Sequence, residues 1–113
     1  MLMGKVVGTV VATQKDEGMV GFKLLIVQNL NLEMKLTSSY TVAVDAIGAG
    51  LNDVVIVVQG SSARLTDVTK NKPVDAAIIC IVDSIDVGGR QIYQKGSEEP
   101  RPRLEMVRGA QAL

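Results

Sequence analysis

The side chains best equipped for chemistry are the carboxylates of Asp45, Asp53, Asp75, Asp83 and Asp86, each beside an expected strand end or turn. Paired carboxylates can move protons or hold a divalent cation, but this spacing matches no calcium loop. Aspartate at a strand end is also a common turn former that bonds its own backbone. A structural role is the expectation, with metal or acid-base work as the alternative. The chain has no histidine, which removes the commonest general base and the commonest metal ligand together and excludes a conventional triad. Its single cysteine, Cys80, lies inside the apolar run AIICIVD. A thiol buried there behaves as a small hydrophobe with little thiolate character, and a lone cysteine forms no intrachain disulfide.

Between two of these aspartates lies DAIGAGLND, residues 45–53. Gly48, Ala49 and Gly50 open it like a nucleotide-binding fingerprint. Asp53, however, stands where the third glycine belongs, and a β-branched run follows in place of the helix whose N-terminus would hold phosphate. The adjacent carboxylate would repel such a ligand. A structural turn with close backbone approach is the better expectation, and no cofactor is implied.

The elements that position these residues follow from composition and pattern. A chain of 113 residues is the size of one domain, small enough that burial against a partner adds appreciably to its stability. Twelve basic and twelve acidic residues cancel, so no overall field draws the chain to nucleic acid or to an anionic membrane. Hydrophobic residues make up 47% of it and aromatic residues only 3%. Base-binding proteins use rings worth roughly 1–3 kcal/mol per stacked base, whereas Phe22, Tyr40 and Tyr93 are the only rings here. No apolar run approaches the roughly 20 residues of a membrane helix, and MLMGKVVGTVVATQKD lacks a signal-peptide cleavage pattern. A soluble cytoplasmic protein is expected, partnered by neither membrane nor nucleic acid. An OB-like module for single-stranded nucleic acid or a small ligand is the alternative.

Met3 to Thr13 is rich in β-branched residues and reads as a strand, with Gly8 marking a bend or a close neighbour. Phe22 to Leu30 is a second strand, and Asn29 to Ser39 a polar hairpin connection. Tyr40 to Ala46 alternates with period two, and Val54 to Gly60 is a continuous β-branched run. Residues 61–73 combine a short helical turn with a loop. Val74 to Val87 is a long apolar strand, with a helical turn conceivable at Val74 to Ala77. Gly88 and Gly89 then form a tight turn into a short strand, Arg90 to Gln94. The class is all-β, a small closed barrel that leaves no exposed edges. It occupies residues 1–95, and the charged, proline-containing segment 96–113 is expected to be a mobile or partner-bound tail. Val54, Ile56 and Val58 point one way and Val55 and Val57 the other, so something must cover the outer face. Self-association is favoured, with a loop or the tail as the alternative cover.

Four stretches in order, VVGTVVATQKD (6–16), LLIVQ (24–28), VAVDAIGAGLNDVVIVVQGSSAR (42–64) and VDAAIICIVDSIDV (74–87), resemble the EutN/CcmL family of bacterial microcompartment vertex proteins across about residues 1–94. The resemblance implies a five-stranded antiparallel barrel akin to an OB-fold and a homopentamer. That pentamer would close a fivefold vertex of a shell otherwise built from hexameric shell proteins, without catalysis or cofactor. It places Gly48, Ala49, Gly50 and Asn52 near the subunit interface and the central axis, where copies of one loop converge. Gly60, Ser61, Ser62, Ala63 and Arg64 match a second family motif, in which Arg64 would fix a turn or pair with a carboxylate. Asp83 matches a third and is a candidate partner for Arg64. Two features depart from the pattern: Cys80 stands where the family has a small residue such as glycine, and the tail after Gly96 is not shared.

Overall fold

The computed structural model describes residues 1–13 and 15–96. Its strands are β1 (Leu2–Val10), β2 (Leu24–Leu30), β3 (Leu36–Asp45), β4 (Val54–Gln59), β5 (Ala76–Ile81), β6 (Ser84–Val87) and β7 (Arg90–Gln94). Short 3-10 turns occupy Glu17–Met19 and Gly60–Arg64. The first five strands close a barrel in the order β1-β2-β3-β5-β4, and β6 and β7 form a separate two-stranded sheet.

All-β architecture and barrel closure agree with the sequence, and four details differ. The barrel is not antiparallel throughout, because β3 and β5 pair in parallel through Val44↔Ala77 and Asp45↔Ile78. A helical turn forms at Gly60–Arg64, largely within the stretch 61–73 expected to hold one, but none forms at Val74 to Ala77, which leads straight into β5. The polar connection between β2 and β3 is shorter than its composition implies. Asn31 closes it, its Oδ1 accepting from the amides of Glu33 at 2.8 Å and Lys35 at 3.1 Å, so that β3 begins at Leu36. The long stretch 74–87 is two strands. At the break the Val82 amide donates to the Val54 carbonyl at 2.8 Å and the Asp83 carbonyl accepts from the Lys95 amide at 2.7 Å.

Alternation along β4 produces two clusters. Val55 and Val57 point inward with Val6, Leu25, Val27, Ala43 and Ile78, all essentially without solvent contact. Each Val, Leu or Ile among them contributes roughly 1.5–3 kcal/mol on burial, which is why a barrel almost free of aromatic residues holds together. Val58 points outward and packs with Val44, Ala63, Val74 and Ala77, flanked by Met19 and Phe22. Here the chain's own turns cover the outer face, and no second copy is needed. Toward the other end of the same face, Ile56 is only half-buried, opposite Met3 on β1 and half-buried Cys80 on β5. Cys80 therefore lies on the outside of the barrel wall, not within its core.

Gly8 sits at the irregularity expected of it, since the β1–β2 register shifts between Val6 and Gly8. Gly88 and Gly89 both have positive φ, 60° and 81°, as a two-residue hairpin turn requires.

Candidate functional site

The segment from Asp45 to Asp53 carries the strand chain from the end of β3 to the start of β4, and its two aspartates build it. Asp45 Oδ1 accepts from the amides of Ile47 at 3.1 Å, Gly48 at 3.0 Å and Ala49 at 3.0 Å. Asp53 Oδ2 accepts from the Gly50 amide at 2.8 Å. A carboxylate engaged by several backbone N–H groups is held in place and orders the chain around it. Both acids therefore act as the turn formers their positions imply.

Side chains of the segment divide sharply. Ala49 is 1% exposed and belongs to the inner cluster, plugging the barrel beside Val6 and Ile78. Gly48, with φ of 90°, faces open space, and Leu51 is 65% exposed. Asn52 adopts φ of 74°, a left-handed conformation that asparagine tolerates better than most residues. It turns the chain so that its own amide bonds the Val6 carbonyl at 2.8 Å and the Asp53 carbonyl accepts from the Val6 amide at 2.9 Å. The loop is thus stitched to β1 from behind, with Gly48 and Leu51 exposed and Gly50 half-buried on its outer side.

The second motif is built around Ala63, fully buried on the outer barrel wall. Arg64 Nη1 donates to the Val74 carbonyl at 3.1 Å, and Thr69 Oγ1 donates to the Ala63 carbonyl at 2.6 Å. Gly60 has φ of 67° and its amide bonds the Asp75 carbonyl at 2.8 Å. Ser61 and Ser62 are exposed. Arg64 thus fixes a turn, one of its two expected roles. Pairing with Asp83 does not occur within the subunit, because Gln59↔Ala76 and Val55↔Ile81 stand at opposite ends of the β4–β5 ladder. Arg64 follows the first end and Asp83 the second.

Two features escaped the sequence analysis. Gly4 lies where β1 packs tightly on β2, and a Cβ there would overlap Val27 Cγ1 and stand 2.6 Å from the Gln28 carbonyl oxygen. The signal was present, since glycine inside an apolar strand marks close backbone approach, but Gly8 drew it. The other is a clasp from the β6–β7 sheet to the glycine segment. Lys95 Nζ lies 3.9 Å from Asp53 Oδ1, and the Tyr93 hydroxyl has its pKa raised by burial and by the nearby Asp53 and Asp83 carboxylates. Asp53 thus serves the loop with one oxygen and the sheet with the other.

A family model described as ethanolamine utilisation protein EutN/carboxysome matches residues 1–83. The chain belongs to the EutN/CcmL family. It is 45% identical over 96 residues to the carboxysome shell vertex protein CcmL of Nostoc sp. strain PCC 7120, covering 84% of this chain and 95% of that protein. The solved structure of Gloeobacter violaceus CcmL aligns with a TM-score of 0.83 at 40% identity, over 86% of this chain and all 100% of the other. The GrpN pentameric microcompartment shell protein from Rhodospirillum rubrum aligns with a TM-score of 0.70 at 44% identity, over 77% and 100%. The EutN/CcmL match ends at Asp83, the residue at which the chain leaves the barrel. The tail expected over 96–113 lies, beyond Gly96, outside the described residues.

Proposed function

We propose that this chain forms a homopentamer that caps the fivefold vertices of a bacterial microcompartment and so closes its polyhedral shell in the cytoplasm. The observation that carries this function is the likeness to GrpN, a pentameric shell protein whose entire length aligns at 44% identity. Its partners are four further copies of itself and the hexameric shell proteins that form the flat facets, and its contribution is shape rather than catalysis. The stitched glycine segment suits such a role. Rings assemble head to tail through two different patches, and a loop braced from behind by Val6, Asp45 and Asp53 offers a neighbour a fixed surface. Gly48 and Gly50 on its outer side, with Asn52 at the turn that braces them, are assigned to the ring interface near the fivefold axis. Ala49 supports them from inside the barrel. Light scattering on the full chain tests the assembly: a mass near five times 12.0 kDa is expected, and a monomer at micromolar concentration contradicts it.

A further inference from the structure

Barrel closure leaves one long strand edge unsatisfied. β3 pairs with β2 from Leu36 to Val44, but β5 meets its other edge only at Val44 and Asp45. Among the described residues, the edge from Leu36 to Ala43 has no strand partner. Natural edge strands carry prolines, charges or covering loops that block further pairing. Thr37 to Val44 reads TSSYTVAV, with neither charge nor proline, and Tyr40 and Val42 are 59% and 51% exposed. The Asp45 amide bonds the Lys23 carbonyl on the β2 side. Alternation by twos then turns the peptide groups of Val42 and Tyr40 away from β2, toward the open edge.

A second unsatisfied edge exists in the same chain. β6 and β7 pair only with each other, and an isolated two-stranded sheet is marginal in water. An open groove of about 590 Å³ is lined by Arg90 to Gln94 of β7 and by Leu32 to Met34. The barrel strands β1, β2 and β4 are paired on both sides. The strands able to add to β3 without breaking a barrel ladder are therefore β6 and β7, and β7, which borders the open groove, is the one with room beside it.

We propose that β7 of one copy adds to the free edge of β3 of the next, so that each ring interface is a continuous sheet crossing from subunit to subunit. The occupant is a second copy because the two edges are different and complementary, the head-to-tail arrangement that closes a ring. This inference rests on the pentamer proposed above.

Proline at position 40 supplies the first test. The Tyr40 amide faces away from β2, so Tyr40→Pro removes a donor at the edge and spares the β2–β3 ladder, the placement that sheets tolerate. The expected result is a chain with wild-type circular dichroism whose mass falls about fivefold. The second test needs no destabilising change. In a Cys80→Ser background, Tyr40→Cys or Val42→Cys is combined with Gln91→Cys or Gln94→Cys and oxidised. Paired strands bring Cα atoms to about 5.5 Å, within disulfide reach, so a ladder of covalent oligomers up to the pentamer is expected from at least one combination and from no single variant. A pentameric Tyr40→Pro protein, double variants that never cross-link, or cross-links closing within one chain each overturn the inference while leaving the pentamer standing. A monomeric wild-type chain overturns both.

Discussion

Gly4 and Gly50 both lie beside β-branched runs, yet the space around them is opposite. At Gly4 a side chain would meet Val27 and the Gln28 carbonyl of the same subunit. At Gly50 the nearest atom to an added Cβ is Asp53 Oδ2 at 3.8 Å, an ordinary contact, and its φ is not of the left-handed kind that demands glycine. One glycine is therefore required by the fold of a single chain. The other has room within the subunit, so any need for smallness there comes from outside it. This contrast separates folding from assembly at the level of single residues.

The largest break in that contrast is Gly4→Ala. Its methyl group meets backbone as well as side chain, so β1 and β2 must part, at a cost of about 3 kcal/mol for overpacking in a rigid core. Chemical denaturation should show a lower midpoint, with assembly lost only because folding is. Asp45→Ala comes next. It withdraws the acceptor of three backbone amides, and water replaces it on the exposed side of the loop but less well at buried Ala49, so a loss of about 2 kcal/mol is expected. Asp45→Asn, which keeps one acceptor oxygen, should recover part of that loss in the same denaturation series. The smallest effect on folding is Gly50→Ala, within about 0.5 kcal/mol of wild type. The bulkier Gly50→Val sharpens the contrast: a chain with a near-native melting curve should fail to form rings of normal size by light scattering. Native rings from that variant would show that close approach at Gly50 is not required.

How far these distinctions were legible in the sequence depends on the range of the forces behind them. The β4 run VVIVV was readable because β-branched residues and period-two alternation are local properties, and its two apolar faces were correctly seen to need cover. What covers the outer face was not readable. Val58 is buried by Ala63, Val74 and Ala77, which meet it only after the Gly60–Arg64 turn folds back under the pull of Arg64 on the Val74 carbonyl. The parallel β3–β5 contact was equally hidden, since it follows from how a five-stranded sheet staggers on closing, and two residue pairs leave no pattern. Thr37 to Ser39 read as loop because their side chains are polar, although they lie within β3, whose Leu36 pairs with Leu30 on β2. In the candidate site, Asp45 and Asp53 were understood as turn formers from residue type alone. Gly4 and the Lys95–Asp53 clasp depend on which strands become neighbours, and spacing along the chain does not encode that directly.

The same division of roles appears between the barrel and the β6–β7 sheet. The barrel packs its own apolar side chains, with an inner cluster that includes Ala49 and an outer one covered by the chain's own turns, and leaves the β3 edge open. The sheet is joined to it by the Val82–Asp83 connection and clasped by a partly exposed ion pair, an interaction worth about 0–1 kcal/mol. A weakly held element and an open strand edge in one chain are poorly explained by the needs of one subunit and well explained by those of a ring.

The most direct test of vertex capping is co-assembly. Hexameric shell protein is incubated with and without this chain, and the products are imaged by electron microscopy. Closed polyhedra with the chain present and open sheets or tubes without it are the predicted result. Identical open assemblies in both samples, from a chain confirmed as folded and pentameric, would contradict the claim that it closes a shell.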